Sequence, residues 1–414
     1  MDRNLRWLSI GVAIRTFGSA LYNPFLALFL YSVMRIGYLE IGVLFAVLGG
    51  LQLPFALAGG LWADRVGRRR LILLSLSTEC VFAAGLAYAF EVRSLVLAIA
   101  FAAVGGSVLA ATGAAFSAYI ADHASGSERT RAFTWYRIMF NAGYAAGVSL
   151  GGFLVGLFGF PTSLLCAAIL IGVAAVFVLS LLEESPYDRK LREGKAEAAA
   201  GTGAARPGRS LGDSLRVLAR DRAALLVAGG IGLTYLVASQ WSVIFPLFVH
   251  NKMGVAYSLL GVGLAVNGVL VVVGQSFTTE SLIGRRHTSI AILGVALYVV
   301  AFLLLGLATW WMVLPGAVFL LAVVILTIGE NVGSIPSSTL PSNLAPEGEV
   351  GAYNGAMNSV FAAAGISATF FGGAVLAGIA NPLLEWIILC LPAIPGAVLL
   401  RLAARRIPIA ADRA

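Results

Sequence analysis

Four ionisable side chains stand where the surrounding sequence offers them no water: Arg15, Glu79, Arg137 and Glu330. Each falls in an apolar run long enough to cross a bilayer, which takes about 20 residues. A charge at such depth is costly and usually serves a binding site, a proton relay or a counter-ion. At about 1.5 Å per helical residue, Arg15 lies about 12 Å beyond Trp7 and Glu79 about 13 Å beyond Arg70. Arg137 lies about 9 Å beyond Arg131, and Glu330 about 10 Å before Ser337. Two positive and two negative groups at matching depth are expected to neutralise one another in a single layer. Glu385 sits nearer the end of its run and is expected to reach water. Asn23, Gln240, Asn267, Asn354 and Asn358 add polar groups to other apolar runs.

Other chemistries find no support. Gly147-Val148-Ser149-Leu150-Gly151 matches G-x-S-x-G, but it lies within one long apolar run, not between a strand and a helix as a nucleophile elbow must. The three histidines, His123, His250 and His287, fall at the ends of runs or in loops, away from that serine. No G-x4-G-K-[ST] phosphate loop occurs, which counts against ATP-driven work by this chain. Cys80, Cys166 and Cys390 all sit in apolar runs without paired spacing, so they read as small buried hydrophobes. No enzyme activity, metal site or cofactor is expected.

The elements that must carry these groups are membrane helices. The 414 residues are 59% hydrophobic and 12% charged, with mean hydropathy +0.91, against about one quarter charged in a soluble chain. Twelve apolar runs follow one another at 7–33, 38–59, 71–90, 95–120, 132–157, 162–182, 223–249, 257–279, 288–308, 311–335, 352–376 and 383–400. The first is too long for a cleaved leader and lacks a small-residue cleavage site, so it is expected to stay as a span. All are rich in Gly and Ala, which let helices approach closely where no hydrophobic force drives them together. The net charge of +8 is not gathered into one basic patch with interleaved aromatics, which argues against nucleic acid. Of the lysines and arginines, all but Arg15, Arg35, Arg93 and Lys252 belong to one alternate set of loops and tails, counting Arg137 near its edge. The positive-inside rule therefore puts both termini in the cytoplasm, as an even number of spans requires. The expected location is the cytoplasmic (plasma) membrane.

One long polar segment, 183–222, divides the runs six and six, giving halves 1–182 and 223–414 with a cytoplasmic linker between them. Within it, Leu211–Arg222 has the apolar spacing of a short surface helix, and a plain flexible linker fits equally well. The halves echo one another. Gly67-Arg68-Arg69 recurs as Gly284-Arg285-Arg286, 217 positions later; Ala132-Phe133 recurs as Ala352-Tyr353 at 220; Gly151-Gly152 recurs as Gly372-Gly373 at 221. Nearly constant offsets indicate duplicated halves, an arrangement that places a transport site at the repeat interface.

The run-to-run turn at 60–70 is the most specific stretch. Gly60, Asp64, Arg65, Gly67, Arg69 and Arg70 fit G-x3-D-[RK]-x-G-x-[RK]-[RK] at all six fixed positions, a match expected by chance in roughly one chain of this length in ten thousand. Gly67 permits a sharp turn, Gly60 a close helix approach, and Asp64 a charge satisfied by arginines and helix ends. This resembles the loop signature between the second and third helices of the major facilitator superfamily. The resemblance implies an all-α fold of twelve transmembrane helices in two pseudo-symmetric halves. It further implies a secondary transporter working by alternating access, with a small-molecule substrate and membrane lipid as partners and a monomeric chain. It places the first, fourth, seventh and tenth spans around a central cavity, which singles out Arg15, Asn23, Gln240, Trp241 and Glu330. It also implies that Asp64 braces the cytoplasmic side, with Arg129 or Arg131 as partners, and that Ser281, standing where a second such acid would fall, does not. Since the family's fifth and tenth helices meet at the cytoplasmic gate, Arg137 is expected to pair with Glu330 and Arg15 with Glu79. Gly143, Gly147, Gly151 and Gly152 resemble the family's antiporter motif, with Val148 in place of its proline. With few polar groups among many aromatic and aliphatic ones, a moderately hydrophobic substrate exported in exchange for protons is the expected function. Proton-independent facilitation or uptake is the alternative, and a non-transporting receptor or scaffold a more distant one.

Overall fold

The computed structural model describes residues 2–124, 126–194, 221–311, 314–345, 350–409 and 411–413; a few side chains inside helices, Asp64 and Arg129 among them, lie outside the description. The proposed surface helix 211–222 lies outside the described residues except at its last two positions. Among the described residues the chain is helical throughout, with a single isolated bridge between Arg286 and Arg413 in place of any strand.

Among the described residues, eleven stretches are long and apolar enough to cross a membrane, from Tyr38–Ala56 to Pro382–Ala404. The run expected at 7–33 is built differently. It consists of the helix Arg3–Ala20, a 3-10 turn Asn23–Phe25 and a short helix Leu26–Ser32. Proline explains the break, because its ring collides with the carbonyl four residues earlier and it lacks an N–H. Pro24 points at Ala20, where the helix stops. The same arithmetic holds twice more. Pro246 lies four beyond Ser242, and the second half's first run is the helix Arg222–Ala238, a 3-10 turn Ser239–Trp241, then Ile244–Asn251. Pro395 lies four beyond Leu391, between Pro382–Cys390 and Ala393–Ala404. Two further prolines, Pro336 and Pro341, are absorbed within Pro315–Leu344, where serine hydroxyls bond nearby carbonyls.

The chain forms two compact units. The first takes the chain up to Arg35, the stretch from Val47 through the sixth long helix, and Ala256–Gly268; the second takes Ile36–Ala46, the stretch up to Val255, and everything from Val269. Each unit thus includes the opening of a helix from the other half of the sequence.

In the first unit, the helix Gly126–Phe158 crosses Arg3–Ala20 on a ridge of glycines. A side chain on Gly143, Gly147 or Gly151 would collide with the carbonyl oxygens of Ala13, Phe17 and Leu21 in turn. Positions four apart share one face, so the backbones run in contact over two turns. Ser149 lies within that helix, which leaves the G-x-S-x-G match no elbow geometry. Gly152 packs on Gly261 in the first unit, and Gly42 on Gly373 in the second. The tight turns at Gly67 (φ 97°) and Gly284 (φ 80°) occupy the left-handed region, where glycine carries no steric cost.

Candidate functional site

Arg15 reaches sideways from Arg3–Ala20 to Glu79 on Arg68–Glu91, within the first unit. Its Nε donates to Glu79 Oε2 at 2.6 Å, with the two side chains 11% and 1% exposed. Phe116 lies over the guanidinium at 5.8 Å, a cation–π contact that shares the burden of desolvation. Glu79 Oε1 is buried and has no hydrogen-bond partner among the described residues. The pair is therefore neutral as a unit yet keeps one strong acceptor uncommitted, which suits it to hold a donor group or a proton.

The second unit has polar groups of its own along its helices. Gln240 sits in the 3-10 break, fully buried, donating weakly to Leu236 O at 3.4 Å; its Oε1 is unpartnered and faces Gly372. Asn23 occupies the matching break of the first half and is exposed. Trp241 is half-buried against Phe245, ring centroids 4.5 Å apart. Glu330 is half-buried midway along Pro315–Leu344, next to Gly329, which packs against the Tyr298 ring. Beside it Asn331 donates to Leu270 O at 3.2 Å, and Gln275 donates to Ser334 Oγ at 3.1 Å. Arg137 is exposed on Gly126–Phe158.

The turn at 60–70 is organised by residues from further along the chain. Gly60, Asp64 and Arg65 end the helix Tyr38–Val66, Gly67 makes the turn, and Arg68 opens the next helix. That helix start is capped by Asp188, which accepts from Arg68 N at 2.7 Å and Arg69 N at 3.1 Å. Asp188 belongs to the short helix Pro186–Arg192, itself opened by a Ser185–Asp188 capping box. Arg68 is buried: its Nε lies 3.0 Å from Asp122 Oδ2, and its guanidinium stacks on Tyr187. Ser185 Oγ donates to the same Asp122 oxygen at 2.8 Å. Arg69 donates to Leu182 O and Leu179 O at 2.6 and 2.7 Å, while Arg65 and Arg70 are exposed. The first residues of the expected linker are thus a clasp on the first unit. The second unit repeats the plan, with Asp412 accepting from Thr288 N at 2.9 Å and Thr288 Oγ1 at 2.8 Å. Ser281 bonds back to Phe277 O within its own helix.

Glu385 does not reach water. It is fully buried in the second unit and takes an ion pair from Lys252, which also lies 5.7 Å from the Tyr38 ring. Depth along a helix gave the wrong expectation because the side chain turns inward toward a lysine on the neighbouring loop.

Of the residues chosen from sequence, the structure joins Arg15 to Glu79 and sets Gln240 beside Trp241 at one helix break. The reading missed Asp122, Ser185, Asp188 and Asp412, and the polar trio Gln275, Asn331 and Ser334. Only the Ser-Pro-x-Asp capping pattern at 185–188 carried a local signal.

Hydrophobic helices throughout, ion pairs buried between them and a charged clasp at a turn define an all-α, multi-pass membrane protein. The chain belongs to the Major Facilitator Superfamily, whose profile matches residues 8–400, and is a transporter of the cytoplasmic membrane. It is 25% identical to an uncharacterized MFS-type transporter, YttB, of Bacillus subtilis, over 91% of this chain and 89% of that one. It is 27% identical to the class C tetracycline resistance protein of Escherichia coli, over 85% of this chain and 86% of that one. The fold is shared with a POT family transporter solved with 5-aminolevulinic acid, at TM-score 0.77 and 16% identity over 98% of this chain and 97% of the other.

Proposed function

We propose that this protein exports a small, moderately hydrophobic molecule by alternating access of two six-helix halves, 1–182 and 223–414, in exchange for protons. The observation that carries this reading is the buried Arg15–Glu79 pair with its uncommitted Glu79 oxygen. Holding both charges out of water carries a desolvation penalty that well-packed apolar residues of similar volume would avoid, so a contact serving packing alone has no need of them. Likeness to a protein named for tetracycline resistance over most of both chains supports outward movement of a drug-like molecule. The remaining assignments belong to the same proposal. Twelve spans put both termini in the cytoplasm, and the chain works as a monomer. Arg15, Asn23, Gln240, Trp241 and Glu330 meet the substrate, and Asp64 braces the cytoplasmic side. Glu330 pairs with Arg137 in one state and takes a proton in the other.

The test uses purified protein in phosphatidylcholine vesicles with an imposed pH gradient and tetracycline and lipophilic cations as probes. Transport should follow the gradient, and Glu330→Gln should abolish its pH dependence. Transport indifferent to the gradient refutes exchange and leaves a facilitator. No rescue in the swap Arg137→Glu with Glu330→Arg refutes that pairing.

A further inference from the structure

A cavity of about 370 Å³ opens where the Tyr257–Leu282 and His287–Trp311 helices meet. It lies between two consecutive membrane spans and so at a membrane surface, whichever face that is. Three arginines line it, Arg285, Arg286 and Arg413, together with Leu282, Ile290, Leu293 and Ile409. An antiparallel bridge holds Arg286 and Arg413 backbone to backbone, an arrangement that sets like charges side by side at a cost. The acid Asp412 lies beside Arg286 and is largely committed, while Glu280 stands exposed on the last turn of the preceding helix. Its carboxylate takes two bonds from Thr288, its carbonyl accepts from His287 N at 2.6 Å, and Arg286 Nε is 3.4 Å away. Among the described residues, Arg285 and Arg413 have no carboxylate partner and are exposed.

From this geometry we infer that the cavity binds an anionic phospholipid, its phosphate between Arg285 and Arg413 and the start of an acyl chain along Leu293 and Ile409. The volume holds about a dozen water-sized groups, about the size of a phosphate with a glycerol unit. The apolar wall favours a lipid over a free phosphate: Leu293 and Ile409, 45% and 56% exposed, offer an acyl chain a surface that a soluble anion has no use for. Bidentate guanidinium contacts suit phosphate oxygens.

The test adds phosphatidylglycerol, phosphatidylcholine or soluble glycerol phosphate to the purified full chain in detergent, following Tm by fluorescence and bound lipid by native mass spectrometry. It reads binding alone, so its outcome is separate from that of any transport assay. Phosphatidylglycerol should raise Tm and remain bound, phosphatidylcholine should do neither, and glycerol phosphate should act only weakly. Neutralising both arginines, Arg285→Gln with Arg413→Gln, should weaken the response about thirtyfold, taking about a fivefold loss for each surface arginine. The control Arg401→Gln with Arg405→Gln removes two exposed arginines that do not line the cavity and should leave the response intact. Leu293→Trp fills the apolar wall without touching a charge and should also diminish it. Equal responses to the two lipids, equal loss in the control, saturation by glycerol phosphate, or an undiminished response in Leu293→Trp would each overturn the assignment.

Discussion

Asp188 offers the sharpest test of how the first unit is held together. Its buried carboxylate accepts from Arg68 N at 2.7 Å, Arg69 N at 3.1 Å and Ser185 N at 3.2 Å. A hydrogen bond to a charged group contributes about 1.5–3 kcal/mol, and an N-cap alone about 1–2 kcal/mol. Three donors sharing one carboxylate are not additive, so Asp188→Ala should cost about 3 kcal/mol. Asp188→Asn keeps an acceptor oxygen but loses the charge facing a helix N-terminus flanked by Arg68 and Arg69, and should cost about half as much. In a chain of this size 1 kcal/mol moves Tm by roughly 2 °C, so the expected shifts are about 6 °C and 3 °C. Thermal unfolding in detergent, followed by tryptophan fluorescence, measures both; trypsin cleavage at Arg189 and Arg192 should quicken in step. An alanine variant within a degree of the wild type would refute the clasp. An asparagine variant as damaged as alanine would show that geometry matters there and charge does not.

Three other perturbations discriminate as clearly. Arg15→Gln or Glu79→Gln alone should lower stability by about 3–5 kcal/mol, and the double change by less than the sum of the two, checked by a double-mutant cycle of Tm values. Gly147→Val should lower the yield of folded protein by separating Gly126–Phe158 from Phe17 O, while Gly113→Val, at a position with open space around it, should not; size-exclusion recovery decides. Co-expressing 1–194 with 215–414 should give a membrane-inserted complex, whereas ending the first fragment at 182 removes Ser185 and Asp188 and should reduce its recovery; equal recovery would show the clasp to be dispensable.

The spans were legible because apolar length is a property of contiguous residues. The helix breaks were not anticipated, because an apolar run hides them; their only mark is Pro24, Pro246 and Pro395, each of which disturbs the carbonyl four places back. Depth put Arg15, Glu79, Arg137 and Glu330 in one layer without saying which would pair; the pairing of Arg15 with Glu79 followed from the family resemblance, and the structure joins those two. The same reasoning failed for Glu385, where depth says nothing about whether a side chain turns toward a neighbouring loop. The clasp was invisible because Arg68 meets Asp188 across 120 residues and no periodicity marks such a partner. Asp64, the residue on which the sequence reading placed most weight at that turn, has its side chain outside the described residues, so its brace stands as proposed.

The clasp also sets a timetable for synthesis. The turn at Gly67 emerges from the ribosome 120 residues before the aspartate that caps its helix, and the turn at Gly284 waits 124 residues between Thr288 and Asp412. At about 5–20 residues per second, each helix start stays uncapped for roughly 6–25 s. The cap closes only after the sixth long helix of its half has been made, so each half seals the turn between its second and third long helices with one of its last residues. A ribosome that stalls or drops off within a half therefore leaves a helix terminus without its aspartate cap.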